Sequence, residues 1–285
     1  MTKQHGFLVI DKPAGKTSHD VVAQLRKRFA TKQVGHAGTL DPMATGVLVI
    51  GINNATKLLQ HIVTGKKRYL ATIRLGISTV TDDKEGEVTK TSDWQKIEDS
   101  SIHAALDKSR GRFMQVPSSV SAKKIEGERA YDLVREGKEV VLAAKEVEVD
   151  RLDVLEIRRG EHLDIDIDVS CSAGTYIRAI ARDLGMELGI GGHLIELRRT
   201  VVAPFELKDA GSIESTELLE LASAISRLMP TRNLGFDEVA ELRFGRRIER
   251  SNADGLVAGI GPSGEVVAIL ENQDGRAQPI TVFNS

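Results

Sequence analysis

Residues Gly35 to Leu48 read GHAGTLDPMATGVL, and the chain is best read outward from them. Pro42 disfavours helical geometry at the residue before it, Asp41. Gly35, Gly38 and Gly46 permit backbone turns closed to other residues. The apolar run Val47 to Ile52 (VLVIGI) predicts a strand leaving the loop. One carboxylate therefore stands on a stiff loop that feeds a core strand. An Asp-Pro pair alone is an ordinary turn, so its meaning depends on what surrounds it.

The 285 residues suffice for one large domain and one small one. A hydrophobic content of 41% with 28% charge is that of a globular chain. No apolar stretch approaches the roughly 20 residues a bilayer span requires, and the first residues carry too short an apolar run for a signal peptide. These features predict a cytoplasmic protein without a membrane partner. A single cysteine, Cys171, excludes an internal disulfide and multi-cysteine metal sites. Leu163, Ile165, Ile167, Val169 and Cys171 alternate with polar residues, which predicts a strand with Cys171 on its buried face. The histidines lack metal-ligand spacing, so no metal is expected.

A net charge of −2 argues against a nucleic-acid partner, but the charge is segregated. Met1 to Leu40 holds seven basic residues against two acids, and Lys66, Lys67, Arg68 and Arg74 follow without an intervening acid. Acids gather at 82–87 and 146–150. Such a distribution presents a basic face from a mildly acidic chain, or simply a solvated one.

Strands are predicted at Phe7 to Ile10, Val47 to Ile52, Arg68 to Leu75, Val147 to Arg158, His162 to Ser172 and His193 to Phe205. Helices are predicted from a cap at Ser18 to Phe29, then at Asn54 to Ile62, Ile97 to Lys108, Arg129 to Glu136, Gly174 to Leu188 and Glu214 to Leu228. Gly76 to Gly86 reads as a loop and the stretch from Gly111 as irregular. Strands interleaved with helices without regular βαβ alternation imply an α+β fold with a mixed, mostly antiparallel sheet flanked by helices. Pro230 divides a domain spanning 1–230 from a small β-rich module spanning 231–285. The module contains a hairpin at Pro262 to Gly264 and too little core to stand alone.

PAGKTS at Pro13 to Ser18 imitates a nucleotide-binding loop, but that motif requires glycine where Ile10 stands. Lys12 reads instead as a candidate phosphate contact. Five ordered segments carry the stronger signal: GFLVIDKPAGKTSHDVV, GHAGTLDPMATGVLVI, KRYLATIRLG, RGRFMQVPSSVSAKKIEGERAYDLVREG, and CSAGTYIRAIARDLG with HLIELRRT after it. Together they resemble the TruB family of tRNA pseudouridine synthases, of the bacterial type that acts on position 55 of the tRNA T arm.

The resemblance implies a pseudouridine synthase fold with a C-terminal PUA-like RNA-binding module. By that match Asp41 is the essential aspartate, and Tyr69 stacks on the target base and is placed to take its C5 proton. Tyr176 touches substrate, Arg178 pairs with the aspartate and Leu197 lines the base pocket. His36 contacts RNA where the flipped nucleotide left its stack. The tail is shorter than a full PUA domain, and Arg243, Arg246, Arg247 and Arg250 are its candidates for the acceptor-stem backbone. The isomerisation has no net redox change and donates no group, so no cofactor is expected. A monomer is the default, and a tRNA-binding folding chaperone with the same surface is the alternative.

Overall fold

A computed structural model describes residues 4–118 and 143–283, together with the backbone of the short strands Lys124–Ile125 and Glu128–Arg129. A large mixed sheet runs in the order Leu219–Glu220, Gly6–Lys12, Thr45–Ile52, Gly192–Val202, Lys67–Leu75, Leu163–Cys171, Lys145–Arg159 and Gly111–Gln115. Within it, only the pairing of Thr45–Ile52 with Gly192–Val202 is parallel.

The central strand is predicted well because it is apolar on both faces. Leu48 and Ile50 enter the core shared with Tyr69, Ile73 and Ile165, whereas Val47 and Val49 enter a second core with Phe7, Ile62 and Phe205. Burying each such side chain contributes roughly 1.5–3 kcal/mol. The alternating Leu163–Cys171 strand buries all five residues assigned to its inner face, Cys171 included.

The small five-stranded sheet spans Thr231–Asn233, Leu256–Ile260, Val266–Gln273, Arg276–Val282 and Ile248–Glu249, with the Phe236–Arg243 helix against it. Ala258, Val266, Ile269 and Phe283 complete the second core, so this module shares apolar contacts with the main body. Lys57 reinforces the junction by donating to the Val282 carbonyl at 2.9 Å.

Four local expectations are corrected. Thr17, not Ser18, caps the Ser18–Arg28 helix, because Thr17 and Asp20 form a reciprocal capping box. The segment from Gly111 begins with a strand, Gly111–Gln115, whose outer-edge position leaves it without apolar alternation. Ile77–Thr79, inside the expected Gly76 to Gly86 loop, is a strand that pairs with Val88–Thr91 just beyond it. The helix expected from Glu214 starts only at Leu221, since Leu219–Glu220 pairs with the edge of the large sheet. The helix expected at Arg129 to Glu136 lies outside the described residues. No helix among the described residues is long and apolar enough to cross a membrane.

Candidate active site

The loop that carries Asp41 is tied down from three directions. Ser18 Oγ, freed from capping, donates to the Leu40 carbonyl at 3.1 Å and accepts from the Leu40 N–H at 2.9 Å. Lys12 Nζ donates to the carbonyls of Pro13 (2.9 Å), Lys16 (2.6 Å) and Pro42 (3.3 Å). Arg199 donates from Nε to the Val47 carbonyl at 2.8 Å, and from its two terminal nitrogens to Thr39 at 3.3 Å and Gly38 at 3.1 Å. Both limbs of the loop thus hang on one guanidinium. Gly46 is required for that approach: its φ is +100°, and a Cβ there would lie 2.1 Å from the Arg199 carbonyl oxygen.

Asp41 meets Arg178 where the next element begins. The Ile177–Glu187 helix places Arg178 in its first turn, with Nε 3.1 Å from Asp41 Oδ2. The same guanidinium reaches Asp83 Oδ2 at 3.1 Å and the Thr81 carbonyl at 2.9 Å. Asp83 is in turn held by the Thr81 hydroxyl at 2.5 Å and the Glu85 N–H at 3.1 Å. The side chains of Arg178 and Asp83 are 7% and 5% exposed, but Asp41 keeps 34%. The acid is aimed from behind while its front stays open.

It opens on a cavity of about 390 Å³ lined by Asp41, Tyr69, Tyr176, Arg178 and Leu197, within the size range of small-molecule sites. Burial raises the Tyr69 hydroxyl pKa, opposed by the neighbouring Arg199. Gln115 fixes the Tyr176 backbone, accepting its N–H at 2.8 Å and donating to its carbonyl at 3.1 Å. A broader groove of about 700 Å³ crosses the open sheet face and meets the cavity at Leu197.

Five of the seven residues singled out from sequence line one cavity; His36 and Lys12 do not. His36 ends the Val34–His36 strand, its ring edge-on to His19 at 5.7 Å, and burial followed by the His19 charge lowers its pKa. Lys12 is corrected outright: it is 0% exposed, and its donors are engaged by three backbone carbonyls that a phosphate would have to displace. Its pKa is lowered to about 8, chiefly by burial.

Lys67, Asp83, Gln115 and Arg199 were not singled out. Lys67 and Arg199 line the cavity, and burial lowers the Lys67 pKa to about 8. Their signal was the two-residue period of the strands. Lys67 shares a face with Tyr69, and Arg199 shares one with Leu197. Arg243, Arg246, Arg247 and Arg250 each lie within 4.0 Å of a module carboxylate, from Glu265, Glu241, Asp274 and Asp254 respectively.

Three family models together match residues 26–284. The N-terminal domain of the TruB family pseudouridylate synthases matches residues 26–177, a tRNA pseudouridylate synthase B C-terminal domain matches 178–229, and the C-terminal domain of tRNA pseudouridine synthase II matches 229–284. The chain belongs to the TruB family of pseudouridine synthases. Among its TruB relatives, the tRNA pseudouridine synthase B of Arthrobacter sp. (strain FB24) is 51% identical over 98% of this chain and 96% of its own length. That of Cutibacterium acnes is 46% identical over 99% of both. A solved structure described as an H/ACA RNP bound to a substrate RNA containing 2'-deoxyuridine shares the fold. Its TM-score is 0.70 at 22% identity, over 99% of this TruB chain and 86% of that one.

Proposed function

We propose that this chain is a tRNA pseudouridine synthase that isomerises the T-loop uridine at position 55, with Asp41 as the catalytic carboxylate. The observation that carries the reading is a half-open carboxylate, 3.1 Å from a buried arginine, facing a cavity walled by Tyr69, Tyr176 and Leu197. The naming of the TruB relatives as tRNA pseudouridine synthase B supports the substrate class.

The target base is stacked in folded RNA and must be flipped out, at a cost of a few kcal/mol. Stacking on an aromatic ring such as Tyr69 or Tyr176, worth about 1–3 kcal/mol per base, offsets this. Opposite charges 4 Å apart attract by about 4 kcal/mol at an effective dielectric near 20, before desolvation. The Arg178 contact therefore holds Asp41 against the pull of bulk water. Asp41 then acts at the sugar as nucleophile or as charge stabiliser. The N1–C1′ bond breaks with its electron pair on the uracil, the ring turns and C5 bonds to C1′; Tyr69 is placed to relay the C5 proton, its oxygen accepting that proton as its own is handed on, and N1 gains a proton in the product. The sequence of steps oxidises and reduces nothing.

In this reading residues 1–230 form the catalytic domain, acting as a monomer, and 231–285 an RNA-binding module that steadies the T arm. His36 touches the RNA beside the vacated stack. Release of tritium from C5-labelled uridine in a T-arm stem-loop is the test. The reading predicts multiple turnovers with label at position 55 alone; binding without release, at stoichiometric enzyme, leaves only the chaperone.

A further inference from the structure

The cavity holds more cations than its ion pairs use. Asp41, in its lining, shares Arg178 with Asp83, which stands behind it. Lys67 and Arg199 line the same cavity, 6% and 2% exposed. Neither makes an ion pair with an acid among the described residues: Lys67 Nζ donates to the carbonyls of Val63 and Gly65, and Arg199 to those of Gly38, Thr39 and Val47. Carbonyl dipoles satisfy donors without cancelling charge. A lysine has three N–H donors and an arginine five, so each residue retains donors beyond those bonds.

Strand register puts both cations at the base rather than at the loop alone. Arg199 lies directly across from Tyr69 in the antiparallel pair, a spacing of about 5 Å between Cβ atoms. Lys67 is two residues from Tyr69 on the same strand, with Cys171 as its other cross-strand neighbour. A uracil against Tyr69 would therefore meet two cations without a carboxylate partner as well as Asp41.

We propose that Lys67 and Arg199 form a cationic wall that stabilises the negative charge on uracil once its glycosidic bond has broken. This rests on the reading of the cavity as a uridine-isomerising site. The N1–C1′ pair of electrons leaves with the base and spreads over N1, O2 and O4. The wall faces that charge without itself exchanging a proton. The charge is consumed when C5 donates a pair to C1′; C5 then loses its proton and N1 gains one, which leaves the product ring neutral. Fixed charges that meet a developing charge in a water-poor cavity are the strongest form of such stabilisation.

The experiment compares single-turnover rates on two T-arm stem-loops, one with uridine and one with 6-azauridine at the target. The ring nitrogen of the latter makes N1 a better leaving group while C5–H is retained. An enzyme deprived of the wall depends more on leaving-group quality. Lys67→Met is expected to raise the azauridine-to-uridine rate ratio at least tenfold, and Lys67→Arg to return it towards the wild-type value. Arg199→Lys, which keeps the charge but loses part of the loop tether, is expected to slow both substrates with the ratio unchanged. Because each ratio is internal to one preparation, partial misfolding does not move it. A Lys67→Met ratio equal to wild type, with both rates depressed together, overturns the wall and leaves Lys67 a structural tie. Failure of the wild-type chain to convert uridine at all would instead overturn the proposed function.

Discussion

Arginines of the C-terminal module and the basic residues of the catalytic cavity are neutralised in opposite ways. In the module, Arg243, Arg246, Arg247 and Arg250 are 42–63% exposed at the side chain and each sits near an acid. On the open face of the large sheet the same pattern holds: Arg74 lies against Asp164, Arg68 against Asp168 and Arg158 against Asp166. In the cavity, Lys67 and Arg199 are buried and held by carbonyls. Exposed ion pairs contribute about 0–1 kcal/mol and exchange partners readily. Buried charges without counter-charges are costly; Lys12 offsets that cost by tying three loop carbonyls, whereas Lys67 and Arg199 also face the cavity.

The comparison can be broken most forcefully at Arg178. Arg178→Ala leaves Asp83 buried without its cation, which is expected to cost about 3–5 kcal/mol, measured by denaturant unfolding. Single-turnover rates should fall at least about a hundredfold, as expected when a reacting group loses its aim. Next in size is Lys12→Met, which strands three inward carbonyls and is expected to cost about 2–3 kcal/mol. The salt slope of RNA binding should stay unchanged, whereas a phosphate contact at Lys12 would lower that slope by about one.

A third test uses pH. Lys12 and Lys67 titrate near 8 in the folded chain against an ordinary 10.5. Between those values the unfolded chain binds more protons, so each lysine makes stability rise with pH. Cys171, raised to about 11 from 9 by burial, acts oppositely above pH 9. The clean window is pH 8 to 9, where unfolding free energy should rise by about 1 kcal/mol per lysine. Lys67→Arg should remove one lysine's share. The smallest effect belongs to the module: Arg246→Ala, which removes the 3.1 Å contact with Glu241, should change stability by less than about 0.5 kcal/mol in a thermal melt.

Much of this architecture was legible because periodicity and turn chemistry agree with the tertiary outcome. The Leu163–Cys171 strand alternates as an inner face should, and Pro42 with its flanking glycines announces the loop at Asp41. Even the corrected cap was readable, since Thr17 and Asp20 stand three apart as a capping box requires. Other features were set by distant neighbours. Gly111–Gln115 is a strand only because Lys145–Arg159 offers an edge, and three of its five residues are exposed enough to lose the apolar signal. Lys12 reads as a surface charge until Pro42, thirty residues on, brings a carbonyl to it. Asp83 looked like one acid in a solvated run, and only the fold brings it to Arg178.

The most direct test of the account is Asp41→Asn, which keeps the loop's shape and removes the negative charge that faces the cavity. In a single-turnover assay on a T-arm stem-loop labelled with tritium at C5 of the target uridine, the account predicts undiminished RNA binding and no tritium release. Release at a rate near that of the unaltered chain would contradict it.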